Sequence, residues 1–192
     1  MGQGRMGAPA LSGASHATGD GATLRREDLE ARAAQEGRVV GAIFRTALVV
    51  EMVDFQELLR RDFRTGLRLR IRFRRLVAGE ALRHGGEIAD RSGARMVCVF
   101  GRSADAAAAA MEIRGTLASG WVGIPACMVL YDAGRSPSKA LDVARALGGP
   151  ADILVLDPVG SFLSARTEVP VRSLGTFMVA GVPHPVHVMA LP

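Results

Sequence analysis

The stretch His84-Gly85-Gly86-Glu87-Ile88-Ala89-Asp90-Arg91-Ser92-Gly93-Ala94-Arg95-Met96-Val97-Cys98-Val99-Phe100-Gly101 decides the fold. It reads as a helix end, a strand, a tight turn and a second strand. His84-Gly85-Gly86 supplies the helix stop, because glycine tolerates the left-handed backbone that closes many helices. Ser92-Gly93 supplies the turn. Met96 to Phe100 is a short apolar run that suits a buried strand.

Strands and helices alternate on both sides of this hairpin. Before it, Arg45 to Val53 reads as a strand, and Phe55 to Arg83 as mostly helix, broken or bent around Thr65-Gly66. After it, Ala104 to Leu117 reads as a helix, with five consecutive alanines followed by Met111, Ile113 and Leu117. Val122 to Tyr131 reads as a strand, Ser138 to Leu147 as a helix and Ile153 to Leu156 as a short strand. Val171 to Phe177 and Val186 to Ala190 close the chain as strands, joined through Gly181-Val182-Pro183. The expected fold is α+β: a mixed sheet with helices on one face and a ferredoxin-like βαββαβ core carrying a C-terminal strand extension. Met96, Val97, Val99 and Phe100 are expected in the core beneath the long helices.

Residues 1 to about 22 are rich in Gly, Ala and Ser and read as a disordered tail. Leu24 to Glu36 reads as a short linker helix stopped by Gly37, so one domain is expected over residues 38–192. A chain of 192 residues suits one domain with a sizeable core. Hydrophobic residues make up 48% and charged residues 22%, as in ordinary globular proteins. No apolar run is long enough to cross a bilayer, and the N-terminal residues lack a signal-peptide core, so a cytoplasmic location is expected. Cys98 and Cys127 each lie in an apolar run without a second ligand nearby, which reads as two buried core thiols.

Several stretches in the order of the chain carry a resemblance. Ala47-Leu48-Val49-Val50-Glu51-Met52-Val53-Asp54-Phe55, the hairpin, and Ala104-Asp105-Ala106 come first. The Ala144-Arg145 helix, Leu174-Gly175-Thr176-Phe177 and Gly181-Val182-Pro183-His184-Pro185-Val186 follow. Together they resemble the class III nucleotidyl cyclases, which make cyclic AMP or cyclic GMP from nucleoside triphosphates. The resemblance covers about residues 39 to 191.

That resemblance implies a phosphoryl-transfer site with two Mg²⁺ ions held by two carboxylates. The first maps onto Glu51, one methylene longer than the family's Asp, and the second onto Ala94, which ligates nothing. The family's small residue in the phosphate-cradling turn maps onto Asp54, which would repel an anion there. Read alone, Asp54 is a helix N-cap ahead of Phe55. The base-reading position maps onto Asp90, either a guanine-type reader or a solvated polar residue on a strand. The ribose-orienting Asn maps onto Leu141, and the transition-state Arg onto Arg145. The connection from Tyr131 to Lys139 is shorter than the family's, and Asp132 is not spaced to take a base-reading role.

The charge balance is 24 basic against 19 acidic residues, and Lys139 is the single lysine. Such arginine excess fits a polyanion binder, or the codon bias of a GC-rich genome. Leu67-Arg68-Leu69-Arg70-Ile71-Arg72-Phe73-Arg74-Arg75-Leu76 alternates like a strand, yet the family frame places a helix there. As a helix it carries one apolar stripe for the sheet, and a second, Leu67 and Ile71, for a partner.

The sequence thus predicts a catalytically degenerate cyclase-like domain acting as a regulatory or binding module in signalling. No catalytic residue and no cofactor are expected. A homodimer, or pairing with another cyclase-like domain, is the expected association, through Leu67 and Ile71. An alternative is a divergent active cyclase using Glu51, Asp54 and Asp90 with Mg²⁺ or Mn²⁺. In both, weak nucleotide-binding candidates are Asp54, Asp90 and Arg145, with Glu51 the weak metal candidate. A second alternative is an arginine-rich binder of polyanions through residues 60 to 75, although nucleic acid is not the expected partner.

Overall fold

A computed structural model describes residues 45–119, 125–147, 152–180 and 182–192. The expected tail, the linker helix and the start of the domain near Arg38 lie outside the described residues, as do Val122 and Gly181. The elements are β1 (Thr46–Met52), α1 (Phe55–Arg61), α2 (Phe63–Arg83), β2 (Glu87–Asp90) and β3 (Arg95–Phe100). They continue as α3 (Ser103–Ala118), β4 (Ala126–Asp132), α4 (Pro137–Leu147), β5 (Ile153–Leu156), α5 (Val159–Arg166), β6 (Arg172–Phe177) and β7 (Val186–Leu191).

The seven strands form one sheet in the order β2-β3-β1-β4-β5-β7-β6. Strands β2, β3, β1 and β4 pair antiparallel, which is the expected ferredoxin-like core. The extension joins it by a parallel β4–β5 pair and then antiparallel β7 and β6. Gly85 (φ 70°) ends α2 and Gly93 (φ 59°) turns the hairpin, both in the left-handed backbone expected of them.

Helices cover both faces of the sheet, where the sequence suggested one. Alternate residues of β1 explain this: Leu48, Val50 and Met52 join a core with α2, α3 and α5, whereas Ala47 and Val49 join a core with α4. The hairpin strand β3 divides in the same way. Met96 and Phe100 lie beneath the long helices, as expected, while Val97 and Val99 face the α4 side. A strand buried on both faces is continuously apolar, and its sequence does not reveal that a helix covers the second face.

The alanines of α3 bring it close to the sheet, with Ala106, Ala107, Ala109, Ala110 and Ile113 fully buried. A buried hydrogen bond of 2.7 Å between the Thr46 and Ser103 hydroxyls ties β1 to the start of this helix. The helical region 55–83 breaks at Asp62, not at Thr65-Gly66. Asp62 is extended, and its carboxylate accepts from Thr65 N (3.0 Å) and Thr65 Oγ1 (2.6 Å), which caps α2. Gly66 instead gives α1 room: a Cβ there would lie 2.7 Å from Leu59 Cδ2. Cys98 and Cys127 are free and buried, and burial pushes both thiols up to about 11. Among the described residues no helix is long and apolar enough to cross a membrane.

Candidate functional site

A cleft of about 960 Å³ opens where β1 ends. Its walls come from Glu51 to Gln56, the hairpin turn Ser92 to Arg95, the start of β4 and the C-terminal turn of α4. Register explains the assembly. Glu51 lies between Arg95 on β3 and Cys127 on β4, as β1 is central to both ladders. Beyond the ladder, Met52 N donates to Ala94 O (3.1 Å) and Val53 N to Pro125 O (2.9 Å), so the turn after β1 is pinned on both sides.

Four of the residues singled out from sequence line this cleft: Glu51, Asp54, Ala94 and Arg145. Arg145 Nη2 donates to Glu51 Oε2 within the same chain. The Glu51 side chain is 23% exposed and that of Arg145 55%, so the pair spans the wall and the mouth of the cleft. Arg145 Nη1 also reaches Asp142 Oδ1 at 3.3 Å. Across the turn, Ala94 offers a methyl group and is half-buried.

Asp54 holds the N-cap position of α1, but its side chain makes no capping hydrogen bond. The N-cap position read from the sequence thus holds, with Asp54 O accepting from Leu58 N (3.1 Å), while the carboxylate takes no part in the cap. Asp54 is the one described non-glycine residue at positive φ (54°), a left-handed conformation that Asp tolerates better than most residues do. The backbone here keeps a shape suited to glycine while the side chain adds negative charge to the cleft.

Two further positions stand outside the cleft. Leu141 is buried (1% exposed) in the core between α4 and the sheet, among Ala47, Val49 and Val129. Asp90 lies on the outer strand β2, where its carboxylate accepts from Ser92 Oγ (2.6 Å) and Arg95 Nη2 (2.9 Å). The Ser92 hydrogen bond, opposed by burial and aided by Arg95, holds Asp90 below the usual carboxylate range. Glu51, Asp54 and Asp90 therefore do not converge, and no three metal-ligating side chains gather anywhere among the described residues.

Sequence reasoning passed over two arginines that shape the cleft. Arg95 lines it while pairing with Asp90, and Arg74 Nη2 donates to Arg91 O (2.7 Å) and Gly93 O (2.8 Å), gripping the hairpin turn. The register of Glu51 against Arg95 was a usable signal for the first. Nothing in the alternating Arg run distinguishes Arg74 from its neighbours. The partner-contact candidates also separate: Ile71 is 50% exposed, whereas Leu67 is half-buried.

Solved structures share this fold. The adenylyl cyclase CyaB from P. aeruginosa superposes with a TM-score of 0.64 at 16% identity, over 78% of this chain and 93% of that one. The adenylate/guanylate cyclase/hydrolase from Silicibacter pomeroyi gives 0.60 at 22% identity, over 77% and 95%. The guanylate cyclase domain of RhGC from Catenaria anguillulae, solved in complex with GTP, gives 0.64 at 11% identity, over 78% and 96%. No protein-family model matches the sequence, and no curated protein matches it. The chain has the fold of adenylyl and guanylyl cyclase domains.

Proposed function

We propose that this chain is a nucleotidyl cyclase-like domain that works by binding and does not cyclise nucleotides, a regulatory module in intracellular signalling. The Glu51–Arg145 ion pair is the observation that carries the proposal. Cyclisation needs two carboxylates that bridge two divalent ions. The cleft offers Glu51, whose carboxylate already receives the Arg145 guanidinium, and Ala94 where the second would stand. A guanidinium in that place repels a cation, so these residues do not fit a metal pair. Leu141, buried in the core, leaves the ribose-orienting position without a polar group. The shared fold supports the cyclase-like part of the proposal.

Association belongs to the same proposal. Exposed Ile71, with half-buried Leu67, forms the contact to a second copy or to another cyclase-like domain. A second reading, a divergent cyclase, draws on Glu51 and Asp54 lining one cleft. Titration of the purified protein with ATP and GTP, with and without Mg²⁺ or Mn²⁺, separates the two. A binding module has any nucleotide affinity independent of metal and unchanged by Glu51→Ala. Metal-dependent tightening of about tenfold or more, lost in Glu51→Ala, supports the enzyme and contradicts the proposal.

A further inference from the structure

At the other end of α4 from Arg145, a separate cavity of about 340 Å³ opens between the first turn of α4, β5 and the segment leading into β7. Its floor is apolar and buried: Tyr131, Ala140, Val143, Leu156 and Val186 are each at most 7% exposed. Its mouth is exposed, with the cations Arg135 and Lys139 on the α4 side and the His184 imidazole on the β7 approach. No ion pair within the described residues engages Arg135 or Lys139. The neighbouring acids are otherwise occupied: Asp132 Oδ1 accepts from Gly134 N (3.0 Å), and Asp142 pairs with Arg145. The N-terminal end of the 11-residue α4 adds partial positive charge on the same side.

We propose that this cavity binds a small carboxylate with an apolar body, the chain lying on the buried floor and the carboxylate meeting Arg135 and Lys139. Its volume is in the range of small-molecule sites, which pair apolar walls with a few placed polar groups. A purely apolar ligand would leave two unpaired cations at the mouth, and a compact polyanion would leave the floor unfilled. A monoanion with a hydrocarbon body satisfies both ends. The site is distinct from the Glu51 cleft and stands whether or not that cleft is silent.

The test uses the full ¹⁵N-labelled chain, titrated with octanoate and, in parallel, with octanol and inorganic phosphate while backbone amide shifts are followed. The proposal expects saturable shifts at Lys139, Ala140, Val143 and Leu156 with octanoate, and affinities at least about tenfold lower for octanol and phosphate. Arg135→Glu/Lys139→Glu, at exposed positions, should weaken octanoate at least about tenfold, whereas the equally charged Arg64→Glu/Arg68→Glu should leave it unchanged. Equal binding of octanol, equal loss in both double variants, or shifts confined to other residues would each overturn it.

Discussion

Gly86 follows the helix stop of the decisive stretch, and its backbone presses on the ring of Phe100 at the end of β3. A Cβ added at Gly86 would lie 2.5 Å from Phe100 Cε1 and 2.8 Å from Cδ1 and Cζ, well inside any tolerated contact. The ring is fully buried, so it cannot swing into solvent to make room. Gly86→Ala should therefore cost roughly 1–3 kcal/mol through overpacking, partly offset by the stiffer unfolded chain. Phe100→Ala alone should cost about 3–5 kcal/mol through the cavity it leaves. In the double variant the new methyl enters the vacated space, so the Gly86→Ala penalty should vanish. The coupling is then about 1–3 kcal/mol, favouring the double variant over the sum of the singles. Urea unfolding followed by circular dichroism reads each value from the midpoint at constant slope. Additivity within about 0.5 kcal/mol would refute the close contact between the Gly86 backbone and the Phe100 ring.

Arg145→Ala should destabilise by roughly 1–2 kcal/mol, because it strips the partner from a carboxylate that is mostly buried, and the same change in a Glu51→Gln background should cost under about 0.5 kcal/mol. Paired urea melts check this, and a zero coupling would mean that the two side chains do not pair. Asp90→Asn should destabilise by roughly 0.5–1 kcal/mol at neutral pH. Because the folded-state pKa of Asp90 lies below its ordinary value, this contribution is present above about pH 4 and fades as pH falls through the lowered value, so the difference between the two proteins should shrink as acid unfolding proceeds. Light scattering should show wild-type self-association at tens of micromolar, or capture of another cyclase-like domain, lost in Leu67→Glu/Ile71→Glu; covering two such side chains is worth about 1.5–3 kcal/mol each at full burial. A wild-type monomer that captures no such domain, or association unchanged in the double variant, would remove Leu67 and Ile71 from the interface.

Much of this was legible in the sequence because local signals agreed with one another. Gly85 and Gly93 stand where the chain needs positive φ, and both hairpin strands lie between them and Phe100 as read. The ferredoxin-like order followed from the alternation of elements. The hidden parts depended on tertiary partners. Helix α5 went unread because Val159 to Arg166 is short and follows Pro158, and its place is set by packing: a Cβ on Gly160 would meet Met189 Sδ at 2.6 Å. The break at Asp62 rests on a cap that competed with a more conspicuous glycine. Within the cleft, the losses at Ala94 and Asp54 could be read directly. The Glu51–Arg145 pair could not, since 94 residues separate its members and only the docking of α4 on the second face of the sheet brings them together.

The proposed binding module keeps a cyclase-like frame without cyclase chemistry. The most direct test is product formation by the purified chain, incubated with ATP or GTP and Mg²⁺ or Mn²⁺ and assayed by mass spectrometry for cyclic AMP and cyclic GMP. A silent domain yields neither product above a no-protein control with either metal. Cyclic nucleotide made in proportion to protein, and abolished by Glu51→Ala, would contradict the claim and make the chain a divergent cyclase.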